Sequence, residues 1–294
     1  MLNGWLIIDK PVGPTSTQVV GAVKRALREG GYPKVKVGHG GTLDPLASGV
    51  LPVALGEATK LSGRMLDADK VYDFTIAFGT ETDTLDAEGA AVATSDRRPA
   101  LAEIEAVLPR FTGPIAQVPP AYSALKVDGK RAYTLARAGA AVELASRDVT
   151  IHGLTVQDAG PDWVTLTAHV SKGTYIRSLA RDIARALDSV GHVTMLHRSK
   201  AGPFTLERAI SLDKLGEAAK ARSLEEHLLP LTAGLDDIPA LPVTPDQAGA
   251  LRQGRKLIGI AAQPGLHLAT DQNVPVALVE LDGDELRVLR GFNL

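Results

Sequence analysis

At 294 residues, with 45% hydrophobic and 22% charged side chains, the chain has the make-up of a globular protein that can bury one large core, or a large and a small one. No apolar run approaches the roughly 20 residues that a membrane-spanning helix needs, and zero cysteines exclude disulfides, thiolate metal ligands and a cysteine nucleophile. A net charge of −2 excludes a uniform basic coat for nucleic acid, yet the sum hides an asymmetry: residues 110–200 carry a basic excess, whereas 71–109 and 201–294 are acidic.

The opening stretch from Met1 to Lys10 puts Asp9 directly after a short apolar run and has no basic leader, so it reads as a strand, Gly4 to Asp9, rather than a signal peptide. A cytoplasmic protein is the simplest expectation. Ser16 or Thr17 is placed to cap a helix in which Val19, Val20, Val23, Ala26 and Leu27 recur at helical spacing, and Gly30-Gly31 stops it. Val71 to Phe78 alternates as a strand does, and Leu101 to Leu108 forms a short helix ending at Pro109. Val164, Leu166, Ala168 and Val170 share one face of a further strand. Ile176, Leu179, Ala180, Ile183 and Leu187 then give an amphipathic helix.

Helices and strands interleave without a strict βαβ period, which predicts a mixed α+β fold. Residues 118–147 read as an excursion from the core that carries Lys126, Lys130, Arg131, Arg137 and Arg147 on small-residue helical pieces. A linker rich in Pro, Gly and Asp follows near Thr232 to Pro245. The division is therefore a main domain over 1–238 and a small, mostly β domain over 239–294, with strands in Val274 to Leu281 and Glu285 to Leu289.

The most informative run is Gly38 to Lys60, GHGGTLDPLASGVLPVALGEATK. It holds Asp44 in a glycine-rich loop: Gly40 and Gly41 can take backbone angles closed to other residues, and Pro45 pushes Asp44 away from helix. A carboxylate on such a loop, with the buried stretch Val50 to Leu55 behind it, is presented as a nucleophile or base, or else closes an Asx-turn on nearby amides. The run is no phosphate-cradling loop, since it lacks Gly-Lys-Ser/Thr. The seven histidines show no metal-binding spacing, and His192 with His197 would not share a helical face.

Residues 40 to 51, GGTLDPLASGVL, resemble the catalytic loop of the TruB family of tRNA pseudouridine synthases. Its surroundings agree in order: Asp9-Lys10-Pro11 with Gly13 and Thr15-Ser16, Val71-Tyr72 with Phe78-Gly79-Thr80 and Thr82-Asp83-Thr84, Pro119-Pro120 with Tyr122-Ser123-Ala124 and Lys126, and Ser171 to Arg177. The resemblance covers about residues 4–200. It implies the pseudouridine synthase fold, a mixed sheet flanked by helices, with a small carboxy-terminal PUA-like RNA-binding domain. It also implies isomerisation of the uridine at position 55, in the TΨC loop of tRNA, without cofactor or metal.

By that resemblance Asp44 is catalytic, attacking C1′ or C6 or removing a ribose proton. Arg177 is its cation, and residue physics supports this: if Thr174 caps the helix, Arg177 falls in the first turn, where the macrodipole disfavours positive charge. Tyr72 stacks on the uracil and assists proton transfer, Tyr175 and Leu196 line the pocket, and His39 stacks in place of the flipped-out base. Lys126, Lys130 and Arg131 contact RNA, and Lys10 and Lys60 organise the loop or touch phosphate. The implied partner is the tRNA T-arm stem-loop, with no membrane and no obligate protein partner, and the chain is read as a monomer. The rival within the family is the guide-RNA-dependent relative that works in a complex, and the 118–147 excursion favours the stand-alone enzyme.

Overall fold

The computed structural model describes residues 2–294 except 124, 128, 140, 141 and 143, and at Lys126 only the backbone. The Ala124 of the Tyr122-Ser123-Ala124 element, Met1 and the Lys126 side chain therefore lie outside the described residues.

One large sheet carries the site. Its main strands are β1 (Gly4–Lys10), β2 (Ala47–Leu55), β3 (Lys70–Phe78), β4 (Gly113–Gln117), β5 (Arg147–Ala159), β6 (Trp163–Val170) and β7 (Gly191–Ala201), in the order β1-β2-β7-β3-β6-β5-β4. The β2–β7 pair is parallel and the other neighbours run antiparallel. β7 thus lies between the strand that follows the Asp44 loop and the strand that carries Tyr72: Arg198 is opposite Gly49 on one side and Tyr72 on the other.

Alternation decides which side each residue faces. Leu6 and Ile8 of β1, Leu51, Val53 and Leu55 of β2, Phe74 and Ile76 of β3, and Leu166 and Ala168 of β6 enter one core. Helices α1 (Ser16–Glu29), α2 (Leu101–Val107), α3 (Ile176–Ala186) and α4 (Leu212–Lys220) supply the rest of it, including Val19, Ile104, Leu179 and Leu215. Trp5 and Ile7 of β1 and Val50 and Ala54 of β2 point the opposite way, into a second core with Phe204, Leu231 and Leu235. Both faces of β1 and β2 are therefore buried, and only Asp9 of β1 is exposed. Trp5 has no exposure, lies with its ring centroid 5.2 Å from that of Phe204, and donates its indole N–H to Leu231 O at 3.2 Å.

The second sheet closes that core. Its strands include Ala240–Pro242, Gly265–Asp271, Val274–Asp282 and Glu285–Gly291, with helix α5 (Pro245–Arg252) on its own small core of Ala248, Leu251, Ala277 and Leu286. Leu268, Leu278 and Phe292 reach across to Trp5 and its neighbours. The linker expected near Thr232 to Pro245 is docked: Leu235 and Ile238 are buried, and Ala240–Pro242 is already a strand of the second sheet.

Two helix caps differ from expectation. The cap of α1 is Thr15 rather than Ser16 or Thr17, through a capping box in which Gln18 N donates to Thr15 Oγ1 at 3.2 Å and Thr15 N donates to Gln18 Oε1 at 2.7 Å. Tyr175, not Thr174, is the cap residue of α3, because Thr174 Oγ1 donates back to Ser171 O at 3.0 Å. Arg177 still falls in the first turn. In the excursion, Lys130 and Arg131 lie in a short hairpin (Lys126–Val127 with Lys130–Arg131), Arg137 ends the helix Ala132–Arg137, and Arg147 opens β5. The expected helical pieces are thus a hairpin plus one helix. Among the described residues no helix is long and apolar enough to cross a membrane.

Candidate active site

The loop that holds Asp44 is fixed from three sides. Ser16 Oγ accepts from Leu43 N at 2.8 Å and donates to Leu43 O at 3.1 Å, tying the loop to the first turn of α1. Gly40 lies so close to the helix that follows β2 that a Cβ there would come within 2.6 Å of Met65 Cβ, and Gly41 takes a φ of +136° that side chains resist. On the third side stands Lys10, at the end of β1: its Nζ donates to Ala47 O at 2.6 Å, Pro11 O at 2.8 Å and Pro45 O at 3.4 Å.

Lys10 and Arg198 are both essentially without exposure. Burial pushes the Lys10 ammonium down to about 8; the Asp44 carboxylate opposes this and Arg198 adds to it. Arg198 Nε donates to Val50 O at 2.8 Å, and its terminal nitrogens reach Gly41 O at 3.2 Å and Thr42 O at 3.4 Å. Two buried cations therefore gather carbonyls from both ends of the loop, and these take the place of water around each charge.

Asp44 points from this frame into a cleft of about 1300 Å³. Its Oδ2 lies 2.9 Å from Arg177 Nη2. The same guanidinium holds a second carboxylate, with Nη1 3.3 Å from Asp86 Oδ2, and donates to Thr84 O at 2.8 Å and Tyr122 O at 3.0 Å. Asp86 is buried and also accepts from Thr84 Oγ1 at 2.6 Å and Glu88 N at 3.1 Å. Arg177 is thus committed to Asp86 on its buried side and offers its other edge to the half-exposed Asp44. Its place in the first turn of α3, adverse for a cation, is offset by two carboxylates.

Tyr72, Tyr175, Leu196 and His39 line the same cleft, so the residues expected to form the pocket converge on it. The Arg198 guanidinium carbon is 6.0 Å from the Tyr72 ring centroid, and that of Arg147 is 4.6 Å from the Tyr175 ring. Tyr175 N donates to Gln117 Oε1 at 2.8 Å. His39 Nδ1 is buried with no hydrogen-bond partner among the described residues, and burial, aided by Arg198, lowers the imidazole pKa, which favours the neutral ring. Arg131 and Arg137 line the cleft as well; Lys130 stands exposed on the hairpin outside the lining.

One placement departs from expectation. Lys60 is no part of the loop: it pairs with Glu57 at 2.7 Å and donates to Gly291 O at 2.9 Å, at the seam with the second sheet. His192 and His197, which would not have shared a helical face, lie on strand β7, where they are bound to Thr80 O at 2.8 Å and Ser48 Oγ at 2.9 Å. Sequence reasoning missed Asp86 and the role of Arg198. Asp86 follows two residues after the noted Thr82-Asp83-Thr84 element, and Arg198 stands two residues after Leu196.

The family description "TruB family pseudouridylate synthase (N terminal domain)" matches residues 26–176, and "tRNA pseudouridylate synthase B C-terminal domain" matches 177–236. The chain belongs to the TruB family. Its TruB relatives include a tRNA pseudouridine synthase B of Zymomonas mobilis, 65% identical over 99% of this chain and 96% of that protein. Another, of Novosphingobium aromaticivorans, is 64% identical over 100% of this chain and 98% of that protein. Among solved structures, a chain of a Cbf5-Nop10-Gar1 complex matches with a TM-score of 0.76 at 26% identity, over 99% of this chain and 85% of that one. A chain of an H/ACA RNP bound to a substrate RNA containing 2'-deoxyuridine matches with a TM-score of 0.74 at 25% identity, over the same shares. The expected mixed-sheet pseudouridine synthase fold with a mostly β carboxy-terminal part is thus the fold found.

Proposed function

We propose that this TruB chain isomerises uridine 55, in the TΨC loop of tRNA, to pseudouridine, with Asp44 as the catalytic group acting on a flipped-out base. The activity at the coarser level, conversion of a tRNA uridine to pseudouridine, follows from family membership and from relatives at 64–65% identity. The observation that carries the finer reading is the Asp44–Arg177 pair on the cleft wall. A carboxylate is half exposed on a loop held by buried cations, with an arginine at 2.9 Å that aims it.

The reaction breaks the N1–C1′ bond, turns the uracil in place and joins C5 to C1′; the C5 proton leaves and N1 regains one, so atoms balance without a co-reactant. Asp44 acts on C1′, on C6 or on a ribose proton. Tyr72 and Leu196 give the turning ring an apolar wall, and Tyr175 under Arg147 offers a second flat surface. The neutral His39 ring suits stacking in the space the base vacates, which offsets part of the few kcal/mol that flipping costs. Lys126, Lys130 and Arg131 of the excursion supply charge for the T-arm phosphates, and the 239–294 portion serves as a PUA-like RNA-binding module. The enzyme works in the cytoplasm as a monomer on free tRNA, without a protein partner.

The test is pseudouridine mapping on an unmodified T-arm stem-loop incubated with the purified chain or with Asp44→Asn. Conversion at one loop uridine by the wild type alone is the expected result. Conversion only after a guide RNA and partner proteins are added would replace the stand-alone reading with the guided one.

A further inference from the structure

Across β3, β6 and β5 the sheet face opposite the helices carries polar side chains, among them Asp73, Thr75, Thr165, Thr167 and His169, rather than a second core. At one end of this face the fold gathers three groups that lie far apart in sequence. Asp69 immediately precedes β3, and His169 stands opposite Val71 on the neighbouring β6. On β5 the register runs from Ile151 opposite Val170 to Gly153 opposite His169, so His152 is the extra residue of a bulge. That bulge sets His152 beside His169, with ring centroids 4.8 Å apart and planes tilted by 49°. His152 Nε2 is 3.2 Å and His169 Nε2 3.8 Å from Asp69 Oδ2. All three ligand atoms lie within 4.8 Å of one another.

The two nitrogen-to-carboxylate separations, 3.2 and 3.8 Å, are close to those that one ion sets. A tetrahedral centre with bonds of about 2.0–2.1 Å to nitrogen and oxygen sets its ligand atoms about 3.4 Å apart. Two imidazoles and one carboxylate suit zinc, nickel or copper, whereas magnesium and calcium require oxygen donors. The three side chains are exposed enough to leave a coordination position open to water. We propose that Asp69, His152 and His169 form a binding site for a zinc-class divalent cation. This site is separate from the Asp44 chemistry and does not depend on the proposed reaction. Lys70 and Val170, the neighbours of Asp69 and His169, face the catalytic cleft, so a bound ion ties the start of β3 to β5 and β6 just behind the cleft wall. Its role is to stiffen that wall, and it stabilises the fold by mass action.

The experiment is calorimetric titration of the untagged, chelator-stripped full chain with zinc chloride and, separately, magnesium chloride, with melting temperatures recorded alongside. The wild type is expected to bind one equivalent of zinc, to melt higher with it, and to ignore magnesium. His152→Ala, His169→Ala and the near-isosteric Asp69→Asn are each expected to weaken zinc binding at least about tenfold, the scale on which even groups that only orient a metal's ligands act, and to abolish the melting shift. A wild type that takes up no zinc, or folded variants that bind zinc as the wild type does, would overturn the proposal.

Discussion

The Asp44 loop and the 118–147 excursion face the same cleft and are held in opposite ways. The loop is held by buried groups: Lys10, Arg198 and Ser16 each bind its backbone, and Gly40 fits against Met65 with no room for a side chain. The excursion is anchored near its start, where Arg177 holds Tyr122 O and Tyr122 Oη donates to Asp83 at 3.2 Å, and beyond that it is a short hairpin and a two-turn helix with exposed basic side chains. The loop is bound by cations committed to its backbone carbonyls, whereas Lys130, Arg131 and Arg137 of the excursion are exposed. On the proposed function, the first supplies a preorganised carboxylate and the second a clamp for phosphates, as catalysis on a large, flexible substrate requires.

The sharpest break in this contrast is Asp44→Asn. The rate should fall by roughly a thousandfold or more while RNA affinity stays near wild type, because the loop survives and the charge does not. Binding measured by filter retention decides it: a parallel loss of affinity would make Asp44 a structural residue. Next is Arg177→Met, which strands the buried Asp86 without its cation. Denaturant unfolding should register a loss of about 3–5 kcal/mol, with activity falling alongside.

Lys10→Met should cost about 1–3 kcal/mol, since three carbonyls lose their donor, and should lower kcat more than it changes KM. The pH dependence has a definite sign. With a pKa of about 8 folded against 10.5 for the ordinary lysine, the unfolded chain holds more protons between those values. Wild-type stability relative to the variant therefore rises from pH 8 toward 10.5, and below pH 8 the difference is at its smallest. Paired melts at pH 7 and 9.5 check this. Alanine at both Lys130 and Arg131 should weaken RNA binding and flatten the salt slope by up to about 0.9 for each duplex phosphate that the protein no longer neutralises. An unchanged slope would remove the hairpin from the interface. The smallest effect belongs to His39→Gln. Because the folded His39 resists protonation, it costs the wild type stability as pH falls below about 6.5, and the variant should lose less between pH 7.5 and 5.5.

What the chain made legible and what it hid follow one physical line. Strands and helices with clear alternation, such as Val71 to Phe78 and Ile176 to Leu187, appear within a residue of their expected ends. Arg177 was marked by the family resemblance, and its place in the first turn of a helix, adverse for a cation, agreed with a carboxylate partner. Asp86 could not, since nothing local marks a carboxylate for burial; only the fold brings it to Arg177. Arg198 was hidden for the same reason, as its partners are carbonyls, which every residue has. The Thr15-Gln18 capping box was legible, yet the hydroxyls of Ser16 and Thr17 competed with it, and Ser16 proves to serve Leu43 instead. Asp69, His152 and His169 have no common spacing because strand pairing and a bulge, not a helix repeat, bring them together.

The burial of Trp5 has a practical consequence. Only two tryptophans are present, and Trp5 sits where the two sheets meet while Trp163 lies on β6, four strands away across the large sheet. Intrinsic fluorescence therefore contains a built-in gauge of the seam. With Trp163→Phe in place, a red shift of the remaining emission reports water reaching the back of the strand pair that supports the Asp44 loop. A truncation before residue 239 removes Leu268, Leu278 and Phe292 from the surroundings of Trp5, so it should give the same red shift whatever it does to RNA binding.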